Sequence, residues 1–348
     1  MRELPPLARR LIALGIGLVG GIVAFNIGLP LPWMLGPMIS TTIAALAHVP
    51  MKGPDKLRPI VIPIIGVMLG SSITPDFFAA IGSFATTLAT LPLFLAVAAS
   101  GSYAIYRRFG RYDPVTAFFA SMPGGLNEMM LLGEASGGDE RRIALAHAAR
   151  ILLVILFVGL FFGIVYGVRS NSAGAGWVAL TDPSLLDVVL LTLCAILGIP
   201  FAKRLRLPAA PVFGPMILSG IVHLVGWVEI APPNLLIIIA QIVIGTVIGT
   251  RFVGTRLRDI GTELGLALLA TIVMLAVAIA FAWAVGLALG LPFSQTFLAF
   301  SPGGLTEMSL LTLTLGQDIA FVSIIHIARI TLVIAIAPAV FARFRRGG

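Results

Sequence analysis

A chain of 348 residues that is 58% hydrophobic and only 11% charged cannot cover itself with polar groups in water, because soluble domains carry about 25% charged residues. With a mean hydropathy of +1.05 it reads as an integral membrane protein, and its net charge of +8 belongs to Lys and Arg in short loops, as the positive-inside rule requires. No soluble stretch is long enough for direct nucleic-acid binding, and the single cysteine, Cys194, excludes an intramolecular disulfide and a cysteine metal cluster.

In chain order, Arg9 and Arg10 precede the first apolar run as in a signal peptide. No small-residue cleavage pattern follows before Asn26, so the run is expected to remain as a first helix. Runs long enough to span, roughly 20 residues each, lie at 9–28, 30–48, 57–75, 79–106 and 142–168. Those of the second half lie at 184–201, 206–226, 232–251, 260–289 and 318–342. The segment 169–183, rich in Ser, Gly and Ala, reads as a linker between membrane halves at 1–168 and 184–348.

Two further runs, 113–136 and 292–316, are broken by Pro-Gly-Gly. Pro lacks an amide donor and Gly gains little from helical order, so each run divides into pieces of roughly ten residues. At 1.5 Å per residue a piece reaches about 15 Å, half the hydrocarbon core. That length predicts a re-entrant hairpin with the break at its tip.

The halves correspond. Met122-Pro123-Gly124-Gly125-Leu126-Asn127-Glu128-Met129 returns 179 positions later as Ser301-Pro302-Gly303-Gly304-Leu305-Thr306-Glu307-Met308. Asp139, His147 and Arg150 match Asp318, His326 and Arg329 at the same offset. Gly36-Pro37-Met38-Ile39 matches Gly214-Pro215-Met216-Ile217 at 178, and Gly66 and Gly70 match Gly245 and Gly249. These Gly-x-x-x-Gly helices read as close-packing surfaces.

Loop charges set the expected topology. With a cytoplasmic N-terminus, Lys52, Lys56 and Arg58, then Arg107, Arg108 and Arg111, fall inside. Lys203, Arg204, Arg206, Arg256 and Arg258 join them only if the broken run is re-entrant and the second half inverted. Asp76 and Glu229 then fall outside, and Arg169 is the exception. The expectation is an all-α polytopic membrane protein of two inverted-topology repeats, each of five spans and one hairpin.

Chemistry concentrates at the breaks. The helix after each break offers unpaired amides and a partial positive charge, suited to an anion. The helix before it ends in free carbonyls, suited to a cation. Gly124, Gly125, Gly303 and Gly304 are expected to bind substrate together with Asn127, Thr306, Arg150 and Arg329, and Gly125 and Gly304 to need close backbone approach and φ > 0. Glu128, Glu307, His147 and His326 are expected to couple an ion or proton, since a spacing of three puts each His and Arg on one helix face. The bland alternative makes Glu a helix cap and Arg its structural partner. Asp139 and Asp318 read as N-caps, and His48 and His223 as helix-end residues. No His-x-x-x-His or Cys-x-x-Cys occurs.

The doubled Pro-Gly-Gly-Leu-x-Glu-Met, followed by Asp and His-x-x-Arg, resembles the membrane AbrB-duplication family over nearly the whole chain. Its members are labelled AbrB-type regulator or ammonia monooxygenase. The layout is also similar to hairpin-containing secondary transporters for glutamate and citrate. The expectation is an inner-membrane secondary transporter of a small organic anion coupled to protons or sodium, without another cofactor. The alternative is a membrane sensor that affects gene expression through a partner. A copper monooxygenase comes last, because it needs clustered histidines. Bacterial inner-membrane location with both termini cytoplasmic, contact with membrane lipid and no direct nucleic acid follow. Homodimer formation stays open.

Overall fold

The structure, a computed structural model, describes residues 4–73, 75, 81–168, 177–207, 209–254 and 257–346. Asp76, Arg169 and Arg256, and the side chains of Asn127 and Arg258, lie outside the described residues. Every regular element among the described residues is helical. In the first half these are α1 (Pro6–Asn26), α2 (Pro32–Leu46), α3 (Arg58–Gly70), α4 (Ile81–Arg108), α5 (Pro114–Ser121), α6 (Leu126–Ala135) and α7 (Glu140–Val165). The second half has α8 (Leu185–Arg204), α9 (Ala210–Leu224), α10 (Asn234–Gly249), α11 (Leu257–Leu289), α12 (Phe293–Phe300), α13 (Leu305–Thr314) and α14 (Ile319–Arg346).

Among the described residues, seven helices are long and apolar enough to cross a membrane: α1, α4, α7, α8, α10, α11 and α14. The helices α2, α3 and α9 are shorter than the runs that contain them, at 15, 13 and 15 residues. Backbone conformation explains two of the starts. Leu31 (φ 46°) and Ala209 (φ 47°) adopt the left-handed conformation just before α2 and α9, which a right-handed helix cannot include. Left-handed residues recur through both halves, pairing Gly28 with Arg206, His48 with Gly226, Arg111 with Gly290 and Gly137 with Gly316. The spacing of 178 or 179 that separates the sequence motifs thus also separates these left-handed positions.

Contacts divide the chain into two compact units, each drawing helices from both halves. The first comprises Met1–Ala79, Leu156–Gly254 and Ser309–Ala320. In it α3 lies against α9 as α10 lies against α2. A Cβ on Gly66 or Gly70 would strike the carbonyls of Val212 or Met216; one on Gly245 or Gly249 would strike those of Met34 or Met38. Gly20 and Gly36 meet backbone to backbone between α1 and α2, and Gly198 and Gly214 do so between α8 and α9. Small residues let these backbones touch, which is how apolar helices associate without a hydrophobic driving force. One end of this unit gathers three segments: the Lys52 amide donates to Arg9 (3.2 Å), and Arg251 pairs with Asp55 (3.5 Å).

The second unit comprises Ala80–Ile155, Thr255–Met308 and Phe321–Gly348 and contains both breaks. Its spine is α4 against α11. Arg107, at the end of α4, donates to the carbonyl of Tyr112, and the Tyr112 hydroxyl donates to Glu263, near the start of α11. These two corresponding helices therefore run antiparallel. Phe94, Phe281 and Phe300 fill the space between α4, α11 and α12, with ring centroids 5.2–5.8 Å apart.

Candidate functional site

The first break begins with a well-capped helix. Asp113 accepts from the amides of Val115 and Thr116, both at 3.0 Å, and Pro114 supplies the fixed φ of a first helical residue. Burial pushes the Asp113 carboxyl up, but the bonds from Thr116 and Val115 outweigh it and hold the group below the usual carboxylate range. The helix stops at Ser121 because Met122 is extended (φ −69°, ψ 127°) before Pro123. The chain re-enters a helix at Gly125, also extended (φ −67°, ψ 137°).

The expected positive φ at the tips is not found; all four tip glycines stay outside the left-handed region. Space is the reason for glycine. A Cβ on Gly125 would occupy the place of Glu128 Oε2, and one on Gly304 that of Glu307 Oε2. Each glutamate is thus folded back over its own N-cap glycine, as the third helical residue of a capping box does. A Cβ on Gly124 would press on Val333 and Met129, and one on Gly303 on Met308.

The guanidinium of each motif bonds to the break itself. Arg150 donates to the carbonyls of Met122 (2.9 Å) and Gly124 (3.3 Å) and to His147 Nδ1 (3.1 Å). Arg329 donates to Ser301 (2.5 Å), Gly303 (2.8 Å) and His326 Nδ1 (3.2 Å). His147 Nε2 meets the carbonyl of Phe119 and His326 Nε2 that of Leu298, each at 2.9 Å. Every partner in the second set lies 179 positions after its counterpart. A carbonyl only accepts and a guanidinium only donates, so each ring carries its proton on Nε2 and presents the Nδ1 lone pair to Arg.

This differs from the sequence expectation in two ways. The carbonyls that would suit a cation already carry a fixed one, and both nitrogens of each histidine are engaged. A broken helix with unsatisfied carbonyls is costly in an apolar interior, and the His-Arg pair removes that cost. His147, Arg150, His326 and Arg329 are all buried. A Cβ on Gly124 would lie 2.8 Å from Val333, on the helix that carries Arg329, so the first break packs against the helix that braces the second, within this unit. Nε of each Arg is buried and without a hydrogen-bond partner.

Surroundings distinguish the breaks. Glu128 is exposed, whereas Glu307 is 4% exposed. Gly303 is buried, while Gly124, Gly125, Gly304 and Thr306 are half-buried. Asp139 caps α7, accepting from the Arg142 amide at 3.0 Å.

Sequence reasoning missed the cluster at the base of the first break. Buried Tyr112 donates to Glu263, and the Arg142 guanidinium lies 5.1 Å from the centre of its ring. Burial, then the bond to Glu263, pushes the Tyr112 hydroxyl above the ordinary phenol range. At the offset of 179 these residues correspond to Leu291, Phe84 and Phe321. Phe84 and Phe321 stack at 5.4 Å. The available signal was a charge, Glu263, within an apolar run.

A sequence profile described as "Transition state regulatory protein AbrB" matches residues 33–345. The "Uncharacterized protein YhjN" of Bacillus subtilis (strain 168) is 26% identical over 370 residues, covering 97% of this chain and 94% of that protein. The "Putative regulator AbrB" of Escherichia coli (strain K12) is 26% identical over 323 residues, covering 91% and 90%.

Proposed function

We propose a transport function for this chain, which belongs to the AbrB family: secondary transport of a small organic anion across the bacterial inner membrane, coupled to protons or sodium. The observation that carries this reading is the convergence of two broken helices, each with a buried guanidinium, inside one unit. Buried positive charge and helix N-termini at membrane depth are costly without a ligand pathway, and both favour an anion.

The architecture in this reading is two inverted repeats of five spans and one re-entrant hairpin, with both termini cytoplasmic. The antiparallel run of the corresponding helices α4 and α11 supports inversion. So does the Asp55–Arg251 pair (3.5 Å), which joins two loops that parallel halves would put on opposite faces. The site draws Gly124, Gly125 and Thr306 with Gly303 and Gly304 into the substrate path, and Glu128 and Glu307 into coupling.

Uptake of a panel of labelled mono- and dicarboxylates by reconstituted vesicles tests the reading. Accumulation driven by an imposed proton or sodium gradient is expected, and absence of uptake across the panel rejects transport. A second reading, a membrane sensor acting through a partner, draws on the regulator name of the Escherichia coli relative. Saturable binding without uptake would favour it. Copper oxygenase chemistry has no support here, since both ring nitrogens of His147 and His326 are committed to protein partners.

A further inference from the structure

We propose that the groove between α1 and α2 holds one acyl chain of an anionic phospholipid, with the lipid's phosphate at the end marked by Arg9, Arg10 and Lys52. This rests on the membrane setting of the helices and is independent of transport.

The groove has a volume of about 500 Å³, within the roughly 300–1,000 Å³ of small-ligand sites. Val19 and Val23 of α1, Ile27 just after it and Ile43 of α2 line it, and all four are exposed. Its depth comes from glycine. Gly20 and Gly36 bring the two backbones together, and a Cβ on Gly15 would meet no atom within 4 Å. Ser40, the polar side chain of the lining, donates to the carbonyls of Ile16 (3.0 Å) and Pro37 (3.2 Å). Its hydroxyl is therefore satisfied within the protein, and the groove offers an apolar surface. From Gly15 to Ile27 it runs about 18 Å at 1.5 Å per residue, comparable with the roughly 15 Å that one leaflet gives to the hydrocarbon core.

Charge fixes which way the lipid points. Between Arg10 and Lys52 the sequence holds no Asp, Glu, Lys or Arg, so the positive charge of this helix pair sits at one end. Arg9 lies two turns before Ile16, on the groove face of α1. The loop that leaves α2 returns to the same place, where the Lys52 amide donates to the Arg9 carbonyl (3.2 Å). Arg10 adds a buried Nε–H with no hydrogen-bond partner. Asp55, the acid of that loop, is paired with Arg251 (3.5 Å). Along α1, Arg9 stands about 9 Å from Gly15, close to the roughly 5–8 Å depth of a headgroup layer. The repeat supplies a contrast. At the offset of 178, Gly15 becomes Leu193, Ser40 becomes Leu218 and Arg9 becomes Asp187. Two leucines stand where the groove has a glycine and a serine, and an acid that caps α8 stands where it has a cation. A second copy of the chain is a poorer occupant. A two-fold axis along the membrane normal sets the same patch of each copy against the other, which would bring Arg9 and Arg10 of both copies together, whereas a phosphate complements them.

The full-length protein in detergent, stripped of lipid, serves as the test. Its probes are dioleoyl phosphatidylglycerol and dioleoyl phosphatidylethanolamine, which share their chains and differ in headgroup charge. Binding and stoichiometry are read by native mass spectrometry, and stability by melting temperature. Phosphatidylglycerol should bind saturably, roughly tenfold more tightly than phosphatidylethanolamine, with a preference that shrinks as salt is added. Gly15→Leu, which gives α1 the residue that α8 carries, should keep the lipid-free melting temperature and weaken phosphatidylglycerol binding about tenfold. Arg9→Gln combined with Lys52→Gln should leave phosphatidylethanolamine binding unchanged and cut the preference to about threefold or less. That double variant carries the expectation alone if Gly15→Leu does not fold. Equal binding of the two lipids, uptake of both without saturation, or full phosphatidylglycerol affinity in either folded variant would overturn the inference. So would inorganic phosphate that stabilises wild type as well as the lipid does, since the chain would then contribute nothing. A lipid-free wild-type dimer that Gly15→Leu converts to a monomer would also overturn it, by making a second copy the occupant.

Discussion

At the breaks, Arg150 bonds Met122 and Gly124 while Arg329 bonds Ser301 and Gly303, with a histidine placed identically beside each. At the bases of the same breaks, Tyr112, Arg142 and Glu263 stand where the other half has Leu291, Phe321 and Phe84. A polar, charged cluster at one base corresponds to a stacked pair of rings at the other. The tips have one solution because any broken helix in an apolar interior must satisfy the same carbonyls. The bases are free to differ, because packing alone can hold an apolar end while a charged end must find partners.

The largest effect should come from the shared part. Arg329→Ala leaves two buried carbonyls and a histidine lone pair without a donor, and should cost on the order of 3–5 kcal/mol, as loss of one partner from a buried charged network does. Arg150→Ala should cost nearly as much. Melting temperature and folded yield in detergent measure both, and a stable Arg150→Ala beside an unfolded Arg329→Ala would break the equivalence of the two tips.

Tyr112→Phe probes the divergent part. Loss of a buried bond to a carboxylate should cost about 1.5–3 kcal/mol. It also changes the alkaline limit. The Tyr112 hydroxyl is raised above its ordinary value of 10.0, so its contribution is complete below that value and is lost as pH climbs past it, when the unfolded chain ionises first. Wild type should therefore lose stability above pH 10 more steeply than Tyr112→Phe. Superimposable alkaline curves would mean that the cluster holds nothing together.

Gly304→Ala and Gly125→Ala sharpen the contrast in burial. Each methyl must push a glutamate oxygen aside. Overpacking of a closed site costs about 1–3 kcal/mol, expected in full at Gly304, where Glu307 is buried, and only in part at Gly125, where Glu128 is exposed. Equal losses of melting temperature would remove the distinction between the tips.

Asp113→Ala should have the smallest effect, about 1 kcal/mol, the worth of an N-cap. The corresponding Pro292 caps α12 without any side-chain bond. Chemical denaturation of the variant should reveal the loss at neutral pH. The loss should disappear in acid, because a carboxyl held below its ordinary value stabilises above that value and ceases to do so as pH falls through the folded one.

The sequence by itself determined the helical class, the apolar character, the two breaks and the pairing of every motif residue with its counterpart. Those properties follow from composition, from Pro and Gly chemistry and from a repeat visible along the chain. Tertiary structure decided what the paired residues do. Arg150 and Arg329 bond to backbone carbonyls, and no side chain announces a carbonyl acceptor 26 or 28 positions earlier. The same holds for the two units, which take α1–α3 with α8–α10, and α4–α6 with α11 and α12. Periodicity along a chain cannot say which apolar faces meet. That choice is made where Gly66, Gly70, Gly245 and Gly249 let two backbones come together, and it is a property of the packed pair rather than of either helix.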